Sequence, residues 1–180
     1  MARGAQSMIL PVDLSGLESL FDGISDAAEE AVRPAAQAAA QVLYDAAKAN
    51  VARLGKVTGN LARSIYQAYS QDNSDASVAT YHVSWRPRQA PHAGLVEYGY
   101  WQRYKYLPDG MGPMVQPGME SQPRPTRRSS RAYKDSYWVP REGGPVYVPG
   151  KAFMRRALSA APQATHAAQE VLLAAIQEVK

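Results

Sequence analysis

The sequence predicts an α+β domain: a long N-terminal helix and a C-terminal helix packed on a small antiparallel sheet, with a long irregular insertion before the last helix. Three observations predict it. Small apolar residues recur at spacings of three and four through residues 25–53, β-favouring residues flank a turn cluster at residues 71–75, and periodicity is lost from Gly99 to Pro149. At 180 residues the chain suits one domain around one core. The division expected is residues 1–12 as a flexible arm, residues 13–99 and 148–180 as a single α+β domain, and residues 100–147 as a basic, aromatic-rich insertion loop.

In chain order, Asp13-Leu14-Ser15-Gly16 offers capping side chains before a short amphipathic segment carrying Leu17, Leu20, Phe21 and Ile24. The main helix follows, with Ala28, Ala31, Val32, Ala35, Ala39, Val42, Leu43, Ala46, Ala49 and Leu54 on one stripe. Acidic residues crowd its start and basic ones its end, which suits the helix dipole, and Gly55 is a natural C-terminal cap. Pro34 is expected to kink this helix or start a second one, because it lacks the amide proton and collides with the preceding turn. The alanines allow close approach to a neighbour, and the simplest neighbour is the sheet.

Thr58 is placed to cap a helical turn that Leu61 and Ile65 anchor on the sheet. Ile65 to Ser70 and Ser77 to Trp85 read as a β-hairpin around Gln71-Asp72-Asn73-Ser74-Asp75. A short helix from His92 to Tyr98 presents Leu95 and Val96, and Gly99 permits a sharp exit from it. The last helix opens near Gly150-Lys151-Ala152-Phe153, with Phe153 and Leu158 as its plugs onto the sheet. It is re-aimed near Pro162, then carries Val171, Leu172, Ala175, Ile176 and Val179 on one face. Glu97 is placed to pair with Arg155 or Arg156, or with a neighbouring subunit.

The stretch from Gly99 to Pro149 holds eight of the 13 prolines and eight aromatic residues. Fifty residues without regular structure are unusual inside a compact domain, and ordinary disorder is poor in aromatics. A loop or hairpin ordered by packing on something else satisfies both facts. Charge concentrates here too. Residues 1–98 carry 8 Lys/Arg against 10 Asp/Glu, residues 99–156 carry 11 against 4, and residues 157–180 carry 1 against 2. A field so localised points to a phosphate backbone or an acidic protein surface as partner.

Catalytic and cofactor chemistry finds no footing. With no cysteine, disulfides, thiolate metal sites and thiol nucleophiles are excluded. His82, His92 and His166 lack metal-ligand spacing, and Asp109-Gly110-Met111-Gly112-Pro113 has neither the strand nor the helix of a phosphate loop. No Gly-x-Ser-x-Gly motif occurs. There is no 18-residue apolar run and no signal peptide, so a soluble intracellular protein is expected. With only 2 Phe but 11 Tyr and 3 Trp, the chain is better equipped for half-buried contacts than for a large dry core. No catalytic, cofactor-binding or metal residue is therefore nominated.

Three pieces stand in a telling order: Thr58-Gly59-Asn60-Leu61-Ala62-Arg63-Ser64-Ile65 after the alanine-rich helix, then Leu95-Val96-Glu97-Tyr98-Gly99, then Lys151-Ala152-Phe153-Met154-Arg155-Arg156-Ala157-Leu158. Over residues 25–99 and 148–178 the chain resembles the HK97 gp10-like family of tailed-phage neck proteins, also called tail-completion or head–tail connector proteins. Members typically show T-G-x-L-x-x-S-I, V-E-[FY]-G-[ST] and P-F-[LM]-R-x-A-L. Here Tyr100 follows Gly99 where the family usually has a small hydroxyl residue, and a long insertion replaces a short connection.

The resemblance implies a non-enzymatic virion protein, assembled in the host cytoplasm and located at the head–tail junction. It would form a homo-oligomeric ring, expected sixfold, between the head connector and the tail tube or its terminator, around a channel for DNA passed without sequence recognition. The motif residues carried over are Thr58, Gly59, Leu61, Ser64, Ile65, Val96, Glu97, Tyr98, Gly99, Phe153, Arg155 and Leu158. The insertion supplies the expected inter-ring or inter-subunit contacts: Tyr100, Trp101, Tyr104, Arg124, Arg127, Arg128, Arg131, Tyr137 and Trp138. Two alternatives stand beside this. One is a tail-terminator protein capping the tail tube. The other is a nucleic-acid-binding protein using the Arg124–Arg131 run, where arginines grip phosphates and tyrosines stack on bases.

Overall fold

A computed structural model describes residues 15–55, 58–109 and 112–179, with side chains from Ser19 onward. The expected arm and the Asp13-Leu14 cap lie outside the described residues. The fold is α+β. Its first element, α1, is one helix from Ser15 to Arg53. The short amphipathic segment expected before it is its first turns, and Pro34 lies inside without starting a second helix. Proline's fixed φ suits a helix, and Pro34 sits on an exposed side where water can take the carbonyl left without a donor. Gly55 follows with φ +85°, the left-handed turn expected of a C-terminal cap.

A short α2 (Asn60–Ser64) leads directly into β1 (Ile65–Tyr69), which pairs antiparallel with β2 (Tyr81–Trp85) from Ile65↔Trp85 to Tyr69↔Tyr81. The second strand starts later than the sequence suggested. Asp75 Oδ1 accepts from the Ser77 amide and hydroxyl and from the Val78 amide, which keeps that stretch in the connecting loop. Thr58 is not the N-cap of α2. Gly59 holds that position at φ 74°, and Thr58 Oγ1 accepts the Asn60 amide from one residue upstream at 3.3 Å. Next come α3 (Ala93–Tyr98) and β3 (Gly99–Gln102). Within the insertion stands α4 (Arg131–Tyr137). The chain then returns through β4 (Val146–Pro149), α5 (Phe153–Ala157), a 3₁₀ turn at Leu158–Ala160, and α6 (Ala161–Gln177) with Pro162 in its first turn.

The two sheets have two strands each, β1-β2 and β3-β4. A five-residue strand spans about 17 Å and a 39-residue helix about 58 Å, so the sheet can cover only part of α1. The rest is covered by α6, the most extensive neighbour of α1. Small residues make that approach close: Ala31 and Ala35 are 5% and 3% exposed, and a Cβ on Gly23 would stand 3.1 Å from Val179 Cγ1. Helix on helix is therefore as much a part of the domain as helix on sheet.

The core is built from the second half of α1 (Ala47, Val51), Ile65, Ala90, Ala93, Phe153 and Ala157, ringed by Val83, Trp85, Val96 and Met154. Phe153 is fully buried, its ring 5.8 Å from that of Trp85. Leu158, expected as a second plug, is 64% exposed. Phe153 and Ala157 lie four apart on the inner face of α5, whereas Leu158 falls one position beyond, on the 3₁₀ turn where the chain swings into α6. Phe153→Ala is expected to cost about 3–5 kcal/mol of stability, and Leu158→Ala under about 0.5 kcal/mol. Urea unfolding of the two variants checks this; equal losses would contradict the assigned core.

Candidate assembly surface

The region joining the insertion to the core is organised by one carboxylate. Glu97, near the end of α3, is 1% exposed. Its Oε2 accepts the Met154 amide at 2.9 Å, and its Oε1 accepts the Arg155 amide at 3.1 Å and Arg155 Nε at 3.0 Å. Met154 and Arg155 occupy the first turn of α5, whose N-cap position is Ala152, with no side chain able to cap. Glu97 thus caps α5 from another element, and Arg155 supplies the countercharge. The Glu97 carbonyl also accepts Arg155 Nη2 at 3.0 Å and the Ala152 amide at 3.2 Å. Of the pairings open from sequence, the internal one with Arg155 is present.

Two glycines let the chains cross here. Gly99 has φ +86°, and a Cβ on it would meet the Val148 carbonyl oxygen at 2.6 Å. A Cβ on Gly150 would collide with the Glu97 carbonyl and stand 2.6 Å from the Gly99 amide. Ala152 adopts φ 52°, a left-handed conformation that alanine takes at a cost of about 1 kcal/mol or more. The hydrogen bond its amide donates to the Glu97 carbonyl, and the capped helix behind it, offset that strain. The sequence places Gly150 and Ala152 at the opening of the last helix, but nothing local to them shows that the chains cross there.

From this crossing, β3 and β4 run side by side from Gly99↔Pro149 to Gln102↔Val146, so the insertion leaves and re-enters the core at one place. What lies between is folded on itself rather than structureless. Isolated bridges join Tyr104 to Pro140, Tyr106 to Pro113 and Val115 to Trp138. Asp135 on α4 accepts Arg103 Nε and Nη2 at 3.1 and 3.2 Å and the Tyr104 hydroxyl at 2.8 Å, with Arg131 Nε 3.9 Å away. The Tyr104 hydroxyl, then Arg103, hold the Asp135 carboxyl below its ordinary range, while desolvation and the Asp135 bond raise Tyr104. Arg103 and Asp135, 32 residues apart, had no sequence pattern to reveal them.

This internal packing sorts the expected contact residues. Tyr137 and Trp138 are 5% and 7% exposed, packed edge to face at 4.6 Å, so their rings are spent on packing within the insertion. Tyr104 is turned inward to Asp135, and Tyr100 is half-buried. Arg124 is exposed but lies over the Trp138 ring at 5.1 Å. Arg127, Arg128 and Arg131 are exposed. Trp101 is 69% exposed, 5.5 Å from the Tyr147 ring, with Tyr98 60% exposed nearby in the chain. Of the remaining motif residues, Ser64 and Ile65 are buried, Leu61 and Val96 pack on the core, and Thr58 is exposed.

Residues 17–99 match the family described as "Bacteriophage HK97-gp10, putative tail-component". The family match ends at Gly99, the residue at which the β3–β4 stalk begins. The description given to that family is of a putative phage tail component, and the match covers less than half of the chain. Among curated proteins and among solved structures, nothing matches. Among the described residues no group of three His, Asp or Glu could hold a metal ion, and no helix is long and apolar enough to cross a membrane. The third motif lies beyond the HK97 gp10-like match, but Glu97, inside it, is what holds that motif in place.

Glu97→Gln keeps the shape but weakens three charge-assisted bonds, and is expected to cost about 1–3 kcal/mol in chemical denaturation. An unchanged midpoint would show that the cap is idle. Acid tests the insertion separately. A depressed carboxyl contributes stability above its unfolded pKa and loses it as pH falls through the folded value. The near-ultraviolet tyrosine and tryptophan signal of the insertion should therefore collapse below about pH 4. In Asp135→Asn that pH-dependent step should shrink, the remainder belonging to Glu142, which Lys105 also holds below its ordinary range.

Proposed function

We propose that this chain is a structural protein of the phage neck, a ring that joins the head connector to the tail tube and surrounds the DNA channel. The ring is a homo-oligomer, sixfold by analogy with the family resemblance, and DNA passes it without sequence recognition. The observation that carries this reading is the coincidence of the family match with the insertion point. The family segment ends at Gly99, and a separately packed, basic lobe with exposed Trp101, Arg127 and Arg128 is attached there through a two-stranded stalk. A lobe held by its own hydrogen bonds presents a fixed surface, so it can add a contact to an adjacent ring without changing the core that closes its own. Support for a free nucleic-acid binder is weaker, because Arg124 and Arg131 are already engaged by Trp138 and Asp135.

Gln102 and Val146 face each other across the stalk, so residues 103–145 can be replaced by a short turn. That deletion is expected to leave a folded protein, by circular dichroism, whose phage accumulates separate heads and tails under the electron microscope. Infectious joined particles from the deletion would sink the bridging role.

A further inference from the structure

Two surfaces at opposite ends of α1 carry opposite, unsatisfied charge. At its C-terminal end a cavity of about 390 Å³ is lined by Asn50, Arg53, Leu54, Lys151, Phe153 and Arg156. Three cations from three segments meet there with no carboxylate in the lining. Among the described residues none of the three is ion-paired; Arg53 Nη1 donates to Asn50 Oδ1 at 3.5 Å, and the Asn50 amide is spent on the Phe153 carbonyl. Compensation of the helix dipole would explain one cation at this end, not three.

At the other end, Asp22, Asp26, Glu29 and Glu30 are all exposed and share one face of α1 at helical spacing, opposite the alanines that meet α6. Among the described residues none is ion-paired. Arg33 on the same face is turned onto the Tyr69 ring at 4.4 Å. A cleft between α1 and α6 is lined there by Glu30 and Glu178 and by no cation.

From Asp26 to Arg53 the helix rises about 40 Å, far beyond side-chain reach, so these two surfaces cannot pair with each other within one copy. We propose that copies of this chain join head to tail, the acidic face of α1 in one copy docking into the cation-lined cavity of the next. A second copy is the fitting occupant because it neutralises both surfaces at once. A nucleic-acid phosphate would satisfy the cavity while being repelled by the acidic face. Such a contact is heterologous and closes into a ring when its rotation permits. The inference rests on the ring reading above and names the surfaces that build it.

The test uses the full chain in two variants: one with Asp22→Asn, Asp26→Asn, Glu29→Gln and Glu30→Gln, the other with Arg53→Gln, Lys151→Gln and Arg156→Gln. All seven side chains are exposed, so thermal melting should be unchanged and serves as the folding control. In sedimentation at low salt the wild type is expected to assemble beyond dimers, and each variant alone to associate at least about tenfold more weakly. An equimolar mixture should form 1:1 dimers and stop, since each pair has one intact contact and two neutral ends. Variants that assemble like the wild type, or a mixture that stays monomeric, overturn the proposal. So does a wild type that remains monomeric at millimolar concentration, while the particle test of the deletion judges the neck reading independently. If the cavity variant loses affinity for a duplex DNA probe with its assembly unchanged, the cavity belongs to phosphate instead.

Discussion

The buried carboxylate of Glu97 is the constraint on which the rest of the structure depends. A carboxylate at 1% exposure is costly to bury unless its oxygens are filled, and here two helix-start amides and a guanidinium fill them. Those donors sit on the far side of the insertion, 57 and 58 positions along the chain. Satisfying one side chain therefore fixes the start of α5, and with it the placement of Phe153 in the core. It also forces the two ends of the insertion together, which is why glycine stands on both sides of the crossing.

This arrangement separates two jobs physically. The core of α1, α2, the β1-β2 hairpin, α5 and α6 is held by small apolar residues and one buried aromatic ring. The insertion is held by its own network around Asp135 and by the Tyr137–Trp138 pair. Because it enters and leaves at one point, its length adds little closure entropy to the core, and it can vary without strain on the helices. On the neck reading proposed above, that separation lets the partner-facing surface change while the scaffold stays.

Much of the scaffold was legible in the residues. The alanine stripe, Gly55 and the hairpin turn cluster have local causes, and local causes are written in sequence. The differences lie where local backbone geometry takes one of several options the residues allow. Pro34 does not divide α1, Thr58 yields the cap position to Gly59, and Leu158 turns outward because a 3₁₀ turn intervenes before α6. The candidate surface was read less well, since an aromatic residue in a basic loop looks the same whether it faces a partner or its own core. Burial of Tyr137 and Trp138, and the pairing of Arg103 with Asp135, follow from contacts across more than twenty residues and leave no periodic trace.

By itself the sequence determined the α+β class, the long first helix, the absence of thiol chemistry, the concentration of positive charge in the insertion, and the motif order that resembles the HK97 gp10-like family. These rest on composition and on spacings of two, three and four residues, which the chain carries without folding. Only the tertiary structure decided that Glu97 closes onto Arg155 and the start of α5, that the insertion is a stalked lobe with its own packing, and that, among the described residues, the acidic and basic ends of α1 carry no ion pairs. Each of these depends on which distant groups are brought within about 3 Å, and hydrogen bonds and van der Waals contacts act only at that range.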